Sequence, residues 1–151
     1  MDAQLPHITG RIEGAVHLYP VRVFFEDTDL SGIAYHANYL KWCERARSDL
    51  LRVMGVDQRA AMEAGEGYYA VSEAHIKWRR PAKFEDLLVV KTSAREIRVA
   101  SSVMRQEIWR DDELLAEVDV TAAFLSANGR PKRQPPQWRA AFESFVQKDP
   151  A

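Results

Sequence analysis

From position 38 onward the apolar residues fall into a helical period. Tyr39, Cys43, Ala46, Leu50 and the Val53/Met54 pair recur every three or four positions. Lys41, Glu44, Arg45, Ser48, Asp49 and Arg52 fill much of the other face, with Arg45 and Asp49 at the i,i+4 spacing of an ion pair. The pattern predicts one main helix over 38–54, ~25 Å long at ~1.5 Å per residue. Gly55 is its expected C-terminal stop. Upstream, 15–25 carries Val16, Tyr19, Val21, Val23, Phe24 and Phe25 and reads as a strand. Pro20 places an edge, an entry point or a bulge within it. The polar stretch 26–32 between strand and helix has loop chemistry, with short side chains and Gly32.

Beyond a short helical turn over 57–64, ended by Gly65 and Gly67, the period switches to two. Strands are predicted over 69–77, 87–97, 101–110 and 113–125. The last alternates well: Leu114, Ala116, Val118, Val120, Ala122 and Phe124 share one side, and Glu117, Asp119 and Thr121 the other. Asp111-Asp112 and Asn128-Gly129 mark turns. Pro135-Pro136 precedes a short amphipathic helix bearing Trp138, Phe142 and Phe145. Strands joined by such short connections are expected to run antiparallel, because parallel neighbours need a crossover of a dozen or more residues. One sheet face must be covered, and the long helix is the available cover. The expectation is an α+β domain over 15–147, an antiparallel sheet wrapped around one helix. Residues 1–14, with Pro6, Gly10 and Gly14, read as a flexible leader. An open sheet edge favours dimerisation.

Composition narrows the classes. The 151 residues make about one domain, and a chain of this size buries enough core to need no disulfide or metal staple. A net charge of −1 and a pI of about 6.4 give no bulk attraction to nucleic acid or to an anionic bilayer. The single Cys43 excludes an intrachain disulfide and a cysteine-based zinc cluster. No apolar run approaches the ~18 residues of a membrane span. The first residues lack the basic and apolar regions of a secretory signal, so a cytoplasmic location is the expectation.

The densest group of functional side chains is 26–36, between the first strand and the start of the main helix. Amides at a helix start are unsatisfied donors with partial positive charge, suited to an anion or a developing oxyanion. A carboxylate in the preceding loop can act there as nucleophile or as general base toward water. The plainer alternative makes Asp27 and Asp29 turn formers and His36 a cap.

The spelling of this segment bears on that choice. Phe25-Glu26-Asp27-Thr28-Asp29-Leu30-Ser31-Gly32-Ile33-Ala34-Tyr35-His36-Ala37-Asn38-Tyr39-Leu40 resembles the signature of the 4-hydroxybenzoyl-CoA thioesterase family, whose members adopt the hotdog fold. Trp42-Cys43-Glu44-Arg45-Ala46-Arg47 is similar to the Tol–Pal-associated acyl-CoA thioesterase branch. Arg80-Pro81-Ala82-Lys83-Phe84-Glu85-Asp86, Leu114-Leu115-Ala116-Glu117 and Gly129-Arg130-Pro131 extend the resemblance, with less specific motifs, from Val21 to Pro135. It implies an acyl-CoA thioester hydrolase that needs no cofactor. Asp29 would be the essential carboxylate, nucleophile or general base, and the amide at His36 would polarise the thioester carbonyl. The His36 side chain matches the Tol–Pal branch and would orient thioester or water. Asp27 is read as a hydrogen-bond acceptor that organises the loop. The resemblance also implies sites at a subunit interface, hence a homo-oligomer, either a dimer or a dimer of dimers.

Tyr35 and Gly32 are expected to shape the substrate site, and Lys77, Arg79 and Arg80 to meet the CoA phosphates. Arg130, Lys132 and Arg133 form a second basic cluster; a solvated surface is the plainer reading of both. Ser31 has no nucleophile elbow around it. Cys43 reads as a buried thiol. Asp27, Asp29 and His36 lack a further metal ligand at a recognisable spacing. His7, His17 and His75 are read as structural or exposed. A non-catalytic module that binds acyl-CoA or acyl-carrier protein, within an envelope or lipid-synthesis complex, is the alternative. A hydratase ranks below both.

Overall fold

The computed structural model describes residues 9–146. Six strands form one sheet in the order β1-β2-β4-β5-β6-β3. They are β1 (Arg11–Glu13), β2 (Val16–Arg22), β3 (Tyr68–Trp78), β4 (Leu87–Ile97), β5 (Ser101–Arg110) and β6 (Glu113–Leu125). Helix α1 (Asn38–Val53) follows β2, α2 (Gln58–Glu63) precedes β3, and α3 (Pro136–Ser144) follows β6. Every strand pair is antiparallel. The architecture is the expected one: an α+β domain with a single long helix on an antiparallel sheet.

The stripe read from the sequence is the buried face of α1, with Tyr39, Cys43, Ala46 and Leu50 joined by Trp42. It packs into a core with Val21 of β2, Leu88 and Val90 of β4, Ile108 of β5, and Ala116, Val118 and Val120 of β6. A second core, under the C-terminal half of α1, joins Leu50 to Ala94, Met104, Phe142 and Phe145. Gly55, at φ +84°, ends the helix with its N–H on the Arg52 carbonyl. No described helix is long and apolar enough to cross a membrane.

Four expectations change. Arg11–Glu13, placed in the flexible leader, form β1 and pair with β2 through the turn at Gly14; residues 1–8 and position 147 lie outside the described residues. The first strand stops at Arg22, because the Asp27 carboxylate accepts the Phe24 N–H at 2.8 Å and curls 25–27 into a single 3-10 turn. Strands β3 and β4, consecutive in the chain, are not neighbours. The connection 79–86 carries the chain from one side of the sheet to the other, and β3 pairs with β6. Finally, Asp49 is buried and does not pair with Arg45. Its Oδ2 lies 2.7 Å from Nε2 of His17, also fully buried, and accepts the Gly10 N–H at 2.8 Å. The Arg52 guanidinium lies 3.6 Å from its other oxygen.

Pro20 is tolerated because β1 covers β2 only from Val16 to Leu18, leaving Pro20 paired on the β4 side alone. Two bulges matter for the site. One in β6, between the pairs Ile108–Ala116 and Trp109–Leu114, buries Leu115 as well as Ala116. The Leu115 carbonyl then accepts the N–H of both Arg79 and Arg80 where the chain leaves β3. The other, at Ser72 of β3, puts Val71 on the same face as Ala74.

Candidate active site

Short polar residues fold 23–38 into a closed loop against the 79–86 connection. Val23 exchanges backbone bonds with Glu85 and Asp86, Ala34 donates to the Ala82 carbonyl at 2.9 Å, and Ile33 bridges Lys83. Inside the loop Thr28 bridges Ala34, and the Gly32 N–H donates to the Asp29 carbonyl at 3.0 Å. Gly32 sits at φ +82°, a conformation costly for any residue with a Cβ. Asp27 organises the loop as expected. Its carboxylate holds Phe24, and its carbonyl accepts from Tyr35 N–H at 2.8 Å and from Asn38 Nδ2 at 2.7 Å.

Asp29 projects from this loop into solvent. Its carboxylate accepts the Ser31 hydroxyl, and the Ser31 N–H at 2.8 Å. These two bonds, hydroxyl first, hold its pKa below the usual carboxylate value, and the charge of His36 acts in the same direction. The group is therefore ionised near neutrality. Ser31 is spent on Asp29, not arranged as a nucleophile.

Helix α1 begins two residues after His36. The N–H groups of His36 and Ala37 donate to no acceptor among the described residues. Both lie at the positive end of a 16-residue helix. The His36 ring lies 4.6 Å from that of Tyr35 and 5.7 Å from that of Trp78, the latter edge-on at 85°. The Trp78 indole N–H donates to the His36 carbonyl at 3.1 Å, which ties the helix start to the end of β3. A cleft of about 260 Å³ lies here, lined by Ile33, Ala34, His36, Tyr39, Trp78 and the 79–81 segment.

The structure thus gathers His36, Arg79 and Arg80 around one cleft. Asp29 stands on the adjoining loop, outside the lining but within electrostatic reach of His36. Gly32 and Tyr35 shape that loop and do not line the cleft. Arg79 is engaged: its Nε donates to Glu117 at 2.6 Å, and Glu117 also pairs with Arg105. Arg80 meets Glu113 only at 3.3 Å and is 66% exposed, so donors remain for a phosphate. Lys77 is exposed on β3, opposite Glu117 in register. Asp27, Asp29 and His36 do not converge; among the described residues no group of three His, Cys, Asp or Glu could hold a metal ion. Cys43 is fully buried, with its thiol pushed up to about 12 by desolvation.

Trp78 and Asn38 were not singled out from the sequence. Trp78 falls one position past the strand expected over 69–77, and the structure extends β3 to include it. Asn38 carried a usable signal, an amide next to a helix start that lacks Ser, Thr or Asp.

A family model described as the thioesterase superfamily matches residues 31–117. The acyl-CoA thioesterase YbgC of Haemophilus influenzae is 34% identical over 125 residues, 82% of this chain and 92% of that protein. The acyl-CoA thioester hydrolase YbgC of Escherichia coli O6:H1 is 37% identical over 103 residues, 68% of this chain and 76% of that protein. A crystal structure described as a probable thioesterase from Bartonella henselae matches with a TM-score of 0.76 at 33% identity, covering 80% of this chain and 99% of that one. The loop, the helix start and the sheet around them are those of a hotdog fold, and the chain belongs to the thioesterase superfamily.

Proposed function

We propose that the protein hydrolyses an acyl-CoA thioester to the free acid and CoA. The observation that carries this is the pairing of an ionised, Ser31-anchored Asp29 with unengaged N-terminal amides of α1 on the neighbouring loop. The relatives named above support it. In this reading the thioester carbonyl oxygen accepts the His36 N–H, which strengthens as charge develops on that oxygen. Asp29 then acts in one of two ways. As nucleophile, its oxygen bonds to the carbonyl carbon, the C–S bond breaks, CoA leaves as thiolate, and water opens the resulting anhydride. As general base, it takes a proton from the water whose oxygen bonds to the carbonyl carbon, and the C–S bond breaks with CoA leaving as thiolate. Trp78 fixes the helix start, and Arg80 and Lys77 meet the phosphates of CoA.

Self-association belongs to the same reading. Strand β3 is one of the two outer strands and the longer one, with a free edge and exposed Val71 and Trp78, and a second copy can extend the sheet there. A dimer of dimers is the assembly expected, with the site completed at a subunit boundary.

The test is release of free CoA from short, long and aromatic acyl-CoAs by wild type and by Asp29→Asn. The variant should keep the fold and lose roughly 10²–10⁴-fold in turnover. Single turnover in ¹⁸O-water tests the nucleophilic route: label in the Asp29 carboxylate marks an anhydride opened by water at the Asp29 carbon. Binding without hydrolysis across the panel would make the protein an acyl-CoA-binding module instead.

A further inference from the structure

Beyond the cleft a furrow follows α1, with no residue common to the linings of the two. Leu40, in the first turn of α1, lies four residues after His36. On β3, Ala74 and Trp78 share one face, and the bulge at Ser72 adds Val71 to it. An open trough of about 430 Å³ lies between Leu40, Glu44 and Arg47 of α1 and Val71, Ala74 and Val120 of the sheet. Farther along lies a smaller hollow of about 110 Å³, walled by Leu50, Leu51, Tyr69, Met104 and Phe142. Glu44, Arg47 and Val71 border both spaces, so the furrow is pinched at that point.

The pinch is charged and fixed. The Arg47 side chain is only 15% exposed, and its guanidinium donates to Gln106 Oε1 at 2.8 Å and to Glu44 Oε2 at 3.0 Å. Gln106 is fully buried, and its amide nitrogen donates to the Cys43 carbonyl and to Thr92, each at 3.0 Å. That orientation leaves Oε1 facing Arg47. A buried acceptor therefore holds the guanidinium between the trough and the hollow, whose far walls are Leu50, Leu51, Met104 and Phe142. An alkyl chain passing it would strip a charge of its partners and lay methylenes against it.

We propose that an acyl chain leaving His36 enters this trough and that Arg47, which ends it, sets acyl-chain length. This rests on the thioesterase reading above. From His36 to the level of Glu44, where the guanidinium lies, the helix rises ~12 Å. An extended alkyl chain advances ~1.3 Å per carbon for ~1.5 Å bonds, so the trough accepts about nine carbons. Removing the guanidinium joins trough to hollow as far as Leu51, ~22 Å from His36, or about seventeen carbons.

The experiment measures kcat/KM for butanoyl-, octanoyl-, dodecanoyl- and hexadecanoyl-CoA in wild type, Arg47→Ala and Glu44→Ala. Kd values for octyl- and hexadecyl-CoA thioethers, which cannot be hydrolysed, are measured in parallel. Wild type should prefer octanoyl over hexadecanoyl by at least tenfold. Arg47→Ala should raise the hexadecanoyl-to-octanoyl ratio at least tenfold and shift the thioether Kd ratio the same way. Glu44→Ala, at an exposed carboxylate that leaves Gln106 in place, should shift both ratios less and keeps the test informative if Arg47→Ala unfolds. Unchanged ratios in a folded variant overturn the proposal, as does a wild type that takes hexadecanoyl and octanoyl equally. A smaller oligomer with unchanged ratios would mark the furrow as a subunit contact and overturn it too. Absence of hydrolysis with a shifted thioether ratio would instead refute the thioesterase reading and keep the gate.

Discussion

Replacing Asp49 by alanine tests whether the buried His17–Asp49 pair holds the N-terminal hairpin to α1. The Asp49 carboxylate accepts from His17 Nε2 at 2.7 Å and from the Gly10 N–H at 2.8 Å, and both side chains of the pair are buried. Burial lowers the pKa of His17, an effect larger than the opposing hydrogen bond and charge of Asp49. His17 is therefore neutral when folded, with its proton on Nε2; Nδ1, buried, meets no partner, so a second proton there would find no acceptor. Two bonds to a buried carboxylate are worth ~1.5–3 kcal/mol each, offset by relief of the carboxylate's desolvation. Asp49→Ala should thus cost about 3 kcal/mol, or roughly 6–12 °C in Tm for a chain of this size. His17→Leu leaves the carboxylate buried without its main partner and should cost about 3–5 kcal/mol. The double variant His17→Leu/Asp49→Leu removes both polar groups and should recover most of that loss.

The pH dependence carries the sign. His17 takes up a proton more readily unfolded than folded, so stability is full above pH ~6.5 and declines as pH falls below it, by up to ~1.4 kcal/mol per pH unit. The double variant should lose that contribution. Urea unfolding at pH 8, 6.5 and 5.5, read by tryptophan fluorescence, measures all of this. A cost below ~1 kcal/mol for Asp49→Ala, or single-variant losses that simply add in the double variant, would refute the reasoning.

Ser31→Ala removes the larger of the two bonds that hold Asp29 ionised while keeping the amide. The acid limb of the pH–rate profile should move to higher pH, and an unmoved limb would detach Ser31 from that role. Trp78→Phe deletes the 3.1 Å bond to the His36 carbonyl. It should cost no more than ~1 kcal/mol in urea unfolding, yet up to about tenfold in kcat, equivalent to ~1.4 kcal/mol of barrier.

Elements with an internal period were legible in the sequence. The stripe of α1 and the alternation of β5 and β6 come from local spacing, and the structure places them within a residue or two of the expected bounds. Features made by distant partners were not. All three residues of β1 are exposed, so no burial pattern marks the strand before β2 pairs with it. Asp49 obeys the local i,i+4 rule with Arg45 on paper, but the hairpin brings His17 and Gly10 over it, and a buried partner outweighs an exposed one. The same holds at the site. The 26–36 loop was conspicuous for its density of short polar groups, and the Asp29–Ser31 contact spans two positions. Trp78 reaches His36 only because the bulged β6 turns the chain at Arg79 and Arg80.

The passage of 79–86 from β3 to β4 also orders the assembly of the molecule in time. Strands β4, β5 and β6 are successive hairpins and close over short loops. By contrast, His17 must find Thr92, and Tyr68 must find Leu125, encounters that carry a larger loop-closure entropy. The loop bearing Asp29 is clamped to backbone groups of Ala82, Lys83, Glu85 and Asp86, which are in position only once both strands flanking that passage have docked. Secondary structure is therefore expected to return on refolding before the Asp29 loop acquires its shape. A chain arrested on the way would have a hydrophobic core and no closed Asp29 loop.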